Sequence, residues 1–349
     1  MCKSPLHLFL HALPKCEHHM HLEGSLSPAL LFSLASRNNI PLPLTDVAFA
    51  SPDALLDRYT RFSSLDDFLY YYYIGMSCLI YEHDFEELAW EYFLRAKSDG
   101  VVHAEVFFDP QAHTARGVKY ETVVDGFERA CQRAEAELGV STKLILCFLR
   151  HLPVPESHSM FEEAHDHLVS GRLAGIGLDS SEMGNPPMKW KDVYLTAKEK
   201  GIKRTAHAGE EGPVEYIREA LRELHIERVD HGIRLADDNE LMREVAEREI
   251  LITMCPLSNV RLRCIKEVKE LPIRTFLDHG VNFSINSDDP AYFGGYILDN
   301  HCAVQEAFDL TIKDWEAIAR AAIQGSWCDD SRKRVIMEQL NATVTKFST

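Results

Sequence analysis

The sequence predicts an α/β fold, a (β/α)8 barrel of the TIM type with extra helices inserted after strand 1 and at the C-terminus. Eight short apolar runs with strand character alternate with segments of helical periodicity, and this alternation indicates parallel strands joined by helices. Titratable residues follow almost every run, and the carboxyl ends of barrel strands are where active sites form. A doubly wound open sheet is the alternative, but no Gly-x-Gly-x-x-Gly motif follows the first run.

The predicted elements are spread over the whole chain. The strands are residues 15–22, 101–108, 143–150, 174–179, 202–208, 227–231, 250–255 and 281–286. The clearest helices between them are residues 121–138, 156–170, 214–224, 238–248 and 271–279. After the last strand we expect two closing helices, residues 315–327 and 332–347.

About eighty residues separate the first two predicted strands, far more than one crossover needs. They contain a helix near residues 28–38, a turn at 40–44 and an aromatic stretch at 66–73. The tyrosines 70–73 could stack on nucleobases, but aromatic clusters usually fill cores, and we expect the same of Phe62 and Phe68. We predict that residues 26–98 form a helical cap over the barrel mouth, within a single domain of residues 1–349.

Composition and charge narrow the function classes. Of the 349 residues, 46% are hydrophobic and 26% charged, as in a soluble globular protein. The formal net charge of −17 argues against nucleic-acid and anionic-membrane partners. Nine scattered cysteines without a Cys-x-x-Cys pair indicate reduced thiols. The N-terminal stretch makes a poor signal peptide, so we expect a cytoplasmic protein, with the nucleus also open.

Three separate stretches supply a metal site, each at the end of a predicted strand. His19 and His21 alternate with one residue between them, so both point to the same face of a strand. His207 and Asp288 close two later strands. An isolated His-x-His pair is more often two core histidines, but three histidines with one aspartate favour a metal. This ligand set suits one Zn²⁺ per chain, although iron or cobalt could be accommodated.

Polar side chains gather at the predicted strand ends, which favours an enzyme over a scaffold. In strand order they are His19, His21 and Glu23; Glu105 and Asp109; Arg150; Asp179 and Glu182; His207 and Glu210; Asp230 and His231; Asp288 and Asp289.

Several motifs carry a family resemblance that runs from Lys15 to beyond Trp327. HHMHLEGS, HAGEEGP, DHG and NSDDPAYFGGY resemble the adenosine/adenine deaminase family of the amidohydrolase superfamily. FFDPQAHTARG, GLDSSE and CPLSNV resemble its adenine branch, found in fungi. The resemblance implies a zinc barrel that replaces the exocyclic amine of a 6-aminopurine with oxygen, with His19, His21, His207 and Asp288 as the ligands.

The resemblance also implies roles for neighbouring residues. Glu210 would protonate N1 of the purine if burial raises its pKa, although a carboxylate at a helix start would give the same pattern. His231 would orient and help deprotonate the zinc-bound water, and Asp289 would contact N7. Asp230 departs from the family pattern, which commonly has glycine there.

Substrate choice depends on two further motifs. Glu23 stands where adenosine deaminases carry the shorter aspartate that approaches the ribose, and Asp179 and Glu182 flank the segment after strand four. We expect these three carboxylates to contact a free base. Phosphate recognition would need basic residues at the mouth, where only Arg116 and Arg150 are candidates.

We therefore expect a purine salvage enzyme that hydrolyses adenine to hypoxanthine and ammonia, with a small-molecule purine base as its substrate and neither nucleic acid nor a membrane as a partner. Deamination of adenosine or of another 6-aminopurine is the nearest alternative. A zinc hydrolase of esters or amides and a catalytically inactive zinc-binding scaffold are less favoured, because Glu210 and His231 are both present.

A few polar residues have two interpretations. Glu105, Asp109, His113 and Arg116 either line the pocket or pin the loop after strand two, and we favour pinning. Ser258 and Asn259 resemble a turn after strand seven.

Overall fold

A computed structural model describes residues 4–348 of the chain. Eight parallel strands lie side by side in the order of the sequence, and helices surround them, which confirms the predicted (β/α)8 barrel. The strands are β1 Lys15–Glu17, β2 Val101–Phe108, β3 Ser141–Leu149, β4 Gly175–Asp179, β5 Lys203–Ala208, β6 Arg228–His231, β7 Leu251–Met254 and β8 Phe283–Ile285.

The barrel closes between the segments that follow β1 and β8. Met20 forms a parallel bridge to Asp288, and His21 forms one to Phe107 on the other side. Asp288 N donates to His19 O at 3.0 Å, and His21 N donates to Asp288 O at 3.0 Å. The first and last strands are therefore joined at the residues that were predicted as metal ligands.

The first strand is shorter than predicted. Its regular part ends at Glu17, whereas the sequence suggested residues 15–22. The ladder is interrupted because His18 N donates to the side-chain Oδ1 of Asn286, at 2.8 Å, rather than to a backbone carbonyl. A side chain thus replaces one ladder bond, and the chain stays extended beyond the regular strand.

Seventeen α-helices are found among residues 4–348. They are α1 His7–Ala12, α2 Pro28–Arg37, α3 Pro52–Tyr59, α4 Leu65–Met76, α5 Glu82–Ser98, α6 Pro110–Thr114, α7 Tyr120–Arg133, α8 Val154–Ser170, α9 Lys191–Glu199, α10 Val214–Arg222, α11 Asn239–Glu247, α12 Pro256–Arg261, α13 Ile273–Asp278, α14 Pro290–Phe293, α15 Ile297–Phe308, α16 Ile312–Gly325 and α17 Asp330–Phe347. A π-helical turn, Ala134–Leu138, extends α7, and 3₁₀ turns lie at Glu23–Ser25, Val47–Ala50, Pro187–Trp190, Ile233–Asp237 and Val268–Glu270.

The predicted helices are all present, with ends that differ by a few residues. The sequence did not identify α9 or α15. Helix α9 gives a weak signal because it buries only Val193, Tyr194 and Ala197 on an otherwise charged surface. Residues 258 and 259, predicted as a turn, lie within α12.

In the insertion after β1, the starts of two helices have clear N-capping sequences. Ser27 and Ser51 cap α2 and α3, accepting bonds from the backbone N–H groups of Leu30 and Ala54, and a proline follows each serine. Helix α5 packs against α7 in the outer ring, so it is the barrel helix between β1 and β2. The added part is therefore α2–α4, a shorter segment than the predicted residues 26–98.

Part of the aromatic stretch of the insertion packs into the core as predicted. Phe62, Phe68, Tyr71 and Tyr72 are buried, whereas Tyr70 is 52% exposed. Most of the buried apolar residues of barrel and insertion belong to one large cluster. The single domain of residues 1–349 stays a prediction.

A buried polar network lies inside the barrel, below its mouth. Arg228 Nη2 donates to Glu105 Oε2, and the Arg228 guanidinium lies 4.2 Å from the centre of the Trp327 ring. His103 Nε2 lies 2.9 Å from Glu105 Oε1. The expectation that Glu105 lies at the mouth or in the following loop is wrong, because β2 continues to Phe108 and leaves Glu105 in the middle of the strand.

Eight of the nine cysteines lie in the described part of the chain, all as free thiols, and seven of them are buried. Cys2 lies outside the described residues. Between residues 4 and 348, no helix combines the length and the apolar character needed to cross a membrane.

Replacing Glu105 with Leu should lower the free energy of unfolding by about 3–5 kcal/mol, because Arg228 would stay buried without its counter-charge. The double variant Glu105→Leu/Arg228→Met should recover part of this loss, since neither charge remains. Urea unfolding monitored by circular dichroism measures both values. A double variant less stable than the single variant would contradict a specific pairing of the two residues.

Candidate active site

A cleft opens at the carboxyl ends of the strands and encloses about 400 Å³, open solvent at its mouth included. Helix α4 covers one side of it. The lining residues are His21, Leu65, Phe68, Leu69, Tyr72, Tyr73, Asp109, Leu149, Asp179, Ser180, His207, Glu210, His231, Leu262, Asp288 and Asp289. Among the described residues, those lining the cleft include no lysine or arginine.

The predicted metal ligands meet at the bottom of this cleft. Asp288 Oδ1 lies 3.4 Å from His19 Nε2 and 3.5 Å from His21 Nε2. His207 Nε2 lies 3.4 Å from His21 Nε2. Ligand atoms of His19, His207 and Asp288 also lie within 4.8 Å of one ring nitrogen of His231. The structure thus brings the four predicted ligands together, with His231 beside them.

These four side chains fit a metal ion. His19 Nε2 is buried without a hydrogen-bond partner, although a buried polar atom normally has one. Burial lowers the pKa of both His19 and His21 to about 3, so both rings are neutral at physiological pH and each offers a lone pair. A cation between them would satisfy the nitrogen atoms and the Asp288 carboxylate at once.

Asp230, which had no role predicted from the sequence, orients His19 through Thr253 and lies near His207. Thr253 Oγ1 donates to Asp230 Oδ1 at 2.9 Å, so it must accept the N–H of His19 Nδ1, also 2.9 Å away. This bond fixes the tautomer that leaves His19 Nε2 free for a metal. Asp230 Oδ2 lies 3.7 Å from His207 Nδ1 and accepts a bond from Thr205 Oγ1 at 2.7 Å.

The backbone adopts an unusual conformation at two residues of the cluster. His231 has φ +60° and Asp288 has φ +62°, in the left-handed region that residues with side chains seldom occupy. The backbone of Asp288 bonds to the segment after β1, and its carboxylate points toward the histidines. The left-handed conformation allows this one residue to do both. Strain of this kind is typical of functional sites.

Glu210 lies next to the cluster, together with His231 and Asn259. Glu210 Oε2 is 3.5 Å from His231 Nε2, and Asn259 Nδ2 donates to Glu210 Oε1 at 3.2 Å. Burial, together with the nearby charge of Asp288, raises the pKa of Glu210 well above its ordinary value. Asn259 also lies 3.2 Å from His231 Nδ1, so it holds both side chains. Asn259 was predicted only as part of a turn, because the residues next to it in sequence do not indicate its contacts with Glu210 and His231.

Glu182 supports the loop that carries Glu210. Its two carboxylate oxygens accept the backbone N–H groups of Gly209, Glu210 and Gly212, at 3.2, 3.3 and 2.7 Å. Glu182 is fully buried and is not among the residues that line the cleft. The sequence predicted that Glu182 contacts the substrate, whereas in the structure Glu182 holds this loop.

Glu23 is also buried behind the cleft wall. Its Oε1 accepts the backbone N–H of Asp109 at 3.1 Å and lies 3.0 Å from His113 Nε2. Arg116 holds His113 in turn, with Nη2 2.7 Å from His113 Nδ1, and donates to the carbonyl of Met76 at the end of α4. His113 and Arg116 thus pin the loop after β2, as predicted, whereas Asp109 lines the cleft.

Asp289 reaches the cleft because Gly24 leaves room for it. A Cβ atom at Gly24 would lie 2.0 Å from Asp289 Oδ1. Asp289 Oδ1 is buried without a hydrogen-bond partner, and it is one of three aspartates with such oxygens in the cleft wall, beside Asp109 and Asp179. Asp179 Oδ2 also lies 3.5 Å from His21 Nδ1, and burial raises the pKa of Asp179 to about 7.

Arg150 was a candidate for binding phosphate, but it lies outside the cleft lining. Its guanidinium is buried and donates to the backbone carbonyl oxygens of His207 and Asn185. The carbonyl of His207 belongs to a predicted ligand, so Arg150 fixes the backbone at the end of β5.

The fold, the metal-ligand cluster and the acidic cleft define a class of protein. The adenosine deaminase family model matches residues 14–343, and the chain belongs to this family.

Curated relatives are similar over their whole length. An adenine deaminase of Aspergillus fumigatus is 58% identical, covering all of this chain and 99% of the relative. An adenine deaminase of Schizosaccharomyces pombe is 55% identical, covering all of this chain and 95% of the relative.

Solved structures agree with the fold. The crystal structure of adenine deaminase from Arthrobacter aurescens has a TM-score of 0.90 and 42% identity, covering 95% of this chain and 99% of that chain. A Burkholderia ambifaria amidohydrolase with bound Zn has a TM-score of 0.87 and 26% identity, covering 99% of this chain and 97% of that chain.

Replacing Glu182 with Gln should lower kcat by at least about tenfold while leaving metal content unchanged. The introduced NH2 group would face backbone N–H donors, so the loop bearing Glu210 would shift, and small displacements at reacting groups are costly. Steady-state kinetics and metal analysis measure the two effects. Glu215→Gln, an exposed carboxylate in the first turn of α10, after this loop and outside the cleft lining, is the matched control. Equal kcat values in the two variants would rule out the role of Glu182.

Proposed function

We propose that the protein catalyses the hydrolytic deamination of adenine to hypoxanthine and ammonia, a reaction of purine salvage. The observation that carries this proposal is the joint placement of four metal-ligand side chains and the buried acid Glu210 in one cleft without cationic residues. Full-length identity above 50% to curated adenine deaminases supports the choice of adenine.

We infer that the resident cofactor is one Zn²⁺ per chain, held by His19, His21, His207 and Asp288. Three imidazole nitrogens and one carboxylate oxygen suit zinc, and the bound Zn of the Burkholderia ambifaria relative supports the choice. When bound, zinc supplies Lewis acidity that makes water nucleophilic near neutral pH.

The protein side chains supply the proton transfers. Water adds to C6 of adenine, and the electron pair of the aromatic ring moves to N1. Burial raises the pKa of Glu210 well above its ordinary value and so favours the protonated carboxyl group, which can give its proton to N1. His231, whose ring is neutral because burial lowers its pKa, can accept a proton from the attacking water.

Collapse of the adduct then releases the amine from C6. His231 passes its proton to the leaving nitrogen, which departs as ammonia, while the hydroxyl on C6 gives its proton to Glu210 and becomes the carbonyl of hypoxanthine. Both side chains are thereby restored, and one water is consumed. Asp289 and Asp179, with buried oxygens in the cleft wall, would position the base through its remaining ring nitrogens.

A nucleotide substrate fits the cleft poorly. A phosphate would require cationic partners, whereas the aspartates and glutamate of the lining would repel it. Arg150, one of the two basic candidates, is already bound to two backbone carbonyls.

Helices α2–α4 would act as the lid over this site. We place the enzyme in the cytoplasm, with the nucleus also open.

The test is to follow ultraviolet absorbance after mixing the purified protein with adenine, adenosine and AMP separately. We expect turnover of adenine at least about 10³-fold above that of the other two, because a site built for one hydrogen-bonding pattern rejects analogues that lack it. Comparable turnover of adenosine would contradict the proposed substrate, and no turnover of any purine would favour the scaffold alternative.

The variant Glu210→Gln keeps the shape of the side chain and removes its acidic proton. It should reduce kcat by about 10²–10⁴-fold, while metal content stays near that of the unmodified protein. Activity within tenfold of the unmodified protein would show that Glu210 is not the proton donor.

A further inference from the structure

Two buried aspartates, Asp109 and Asp179, form a pair in the wall of the cleft. Asp109 directly follows β2, and Asp179 ends β4. Each is 2% exposed, and one carboxylate oxygen of each lies within 4.8 Å of the other and of a ring nitrogen of His21. Both side chains line the cleft.

The pair receives few hydrogen bonds from the rest of the protein. Apart from the contact between the two carboxyl groups and the thiol of Cys147, no group among the described residues donates to Asp109 Oδ1 or to the oxygens of Asp179. Such atoms are costly to bury unless a ligand or water satisfies them. Since they face the cleft where the substrate would bind, a substrate N–H group is the natural donor.

The pair is held rigidly in this position. The backbone N–H of Asp109 donates to Glu23 Oε1, which also lies 3.0 Å from His113 Nε2, and Arg116 fixes His113. Ser180, after Asp179, has φ +68°, so the chain turns sharply away and leaves the carboxylate at the strand end. A rigid acceptor pair discriminates strongly, because it cannot move to find another donor.

Free purine bases and purine nucleosides differ in the hydrogen-bond donors of the five-membered ring. A free purine base carries an N–H group on its five-membered ring, whereas a nucleoside carries a sugar at N9 and has no donor there. With N1 at Glu210 and C6 at the predicted metal ligands, the N9 edge of the base points away from these ligands, toward other groups of the cleft wall, which include Asp109 and Asp179. An N9 substituent would leave the carboxylates unpaired and would also take up their space.

We propose that Asp109, paired with Asp179, accepts the ring N–H of a free purine base and is thereby the residue that excludes purines substituted at N9. This inference rests on the proposed function and names the part of the site that selects the base over the nucleoside. Asp109 is the better residue for a test, because Asp179 also contacts His21, a proposed metal ligand.

The experiment compares adenine with 9-methyladenine, which differs only by the methyl group that removes the N–H donor. The unmodified protein should prefer adenine by roughly 10³-fold or more in kcat/KM. In Asp109→Asn the preference should fall at least about tenfold, mainly through a higher KM for adenine, because this contact is already present in the bound substrate. Asp109→Ala, which opens space for the methyl group, should lower the preference further.

Asp84→Asn is the matched control. It alters a buried aspartate in the first turn of α5, which is bonded to Arg37 and Asn38 and does not line the cleft, and it should keep the preference for adenine whatever its effect on stability. An unchanged preference in both Asp109 variants would overturn the proposal, as would an equal loss in Asp84→Asn.

A binding measurement separates this proposal from the proposed function. Titration calorimetry with hypoxanthine and 9-methylhypoxanthine needs no turnover, and it should show the same preference and the same loss in Asp109→Asn. If the unmodified protein deaminates no purine, the proposed function fails, yet the binding preference still tests the aspartate pair. Equal affinity of the unmodified protein for the two ligands would contradict the pair's role.

Discussion

The hydrogen bonds that close the barrel determine the geometry of the whole site. They join the segment after β1 to the segment after β8, through His19, His21 and Asp288. Because the side chains of the same three residues also contact one another, barrel closure places these predicted ligands side by side. The left-handed backbone of Asp288 is tolerated because these bonds fix it from both sides.

The second constraint is charge. The cleft wall contains Asp109, Asp179, Glu210, Asp288 and Asp289, and no cationic side chain faces them from the described lining. Burying so many carboxyl groups is unfavourable unless some are protonated or a cation is present. A metal ion would offset Asp288, burial raises the pKa of Glu210 and favours its neutral form, and a base with N–H donors would suit the rest. The chemistry and the preference for a purine base follow from the same arrangement.

Local motifs allowed the barrel and the four ligand positions to be predicted. His19 and His21 share a strand face, and His207 and Asp288 end strands, so each could be found within a few residues of sequence. The roles of Glu182, Asp230 and Asn259 could not, because their partners are backbone N–H groups or side chains on distant strands. Glu105 was misplaced because strand ends are uncertain in sequence, and a few residues separate the barrel interior from its mouth.

We infer that His19, His21, His207 and Asp288 together hold one metal ion. Anomalous diffraction from crystals of the purified protein, measured on both sides of the zinc absorption edge, tests it most directly. The account predicts one strong peak at about 2.0–2.2 Å from the Nε2 atoms of His19, His21 and His207 and from a carboxylate oxygen of Asp288. A peak between His21, Asp109 and Asp179 instead, or no peak in active protein, would contradict it.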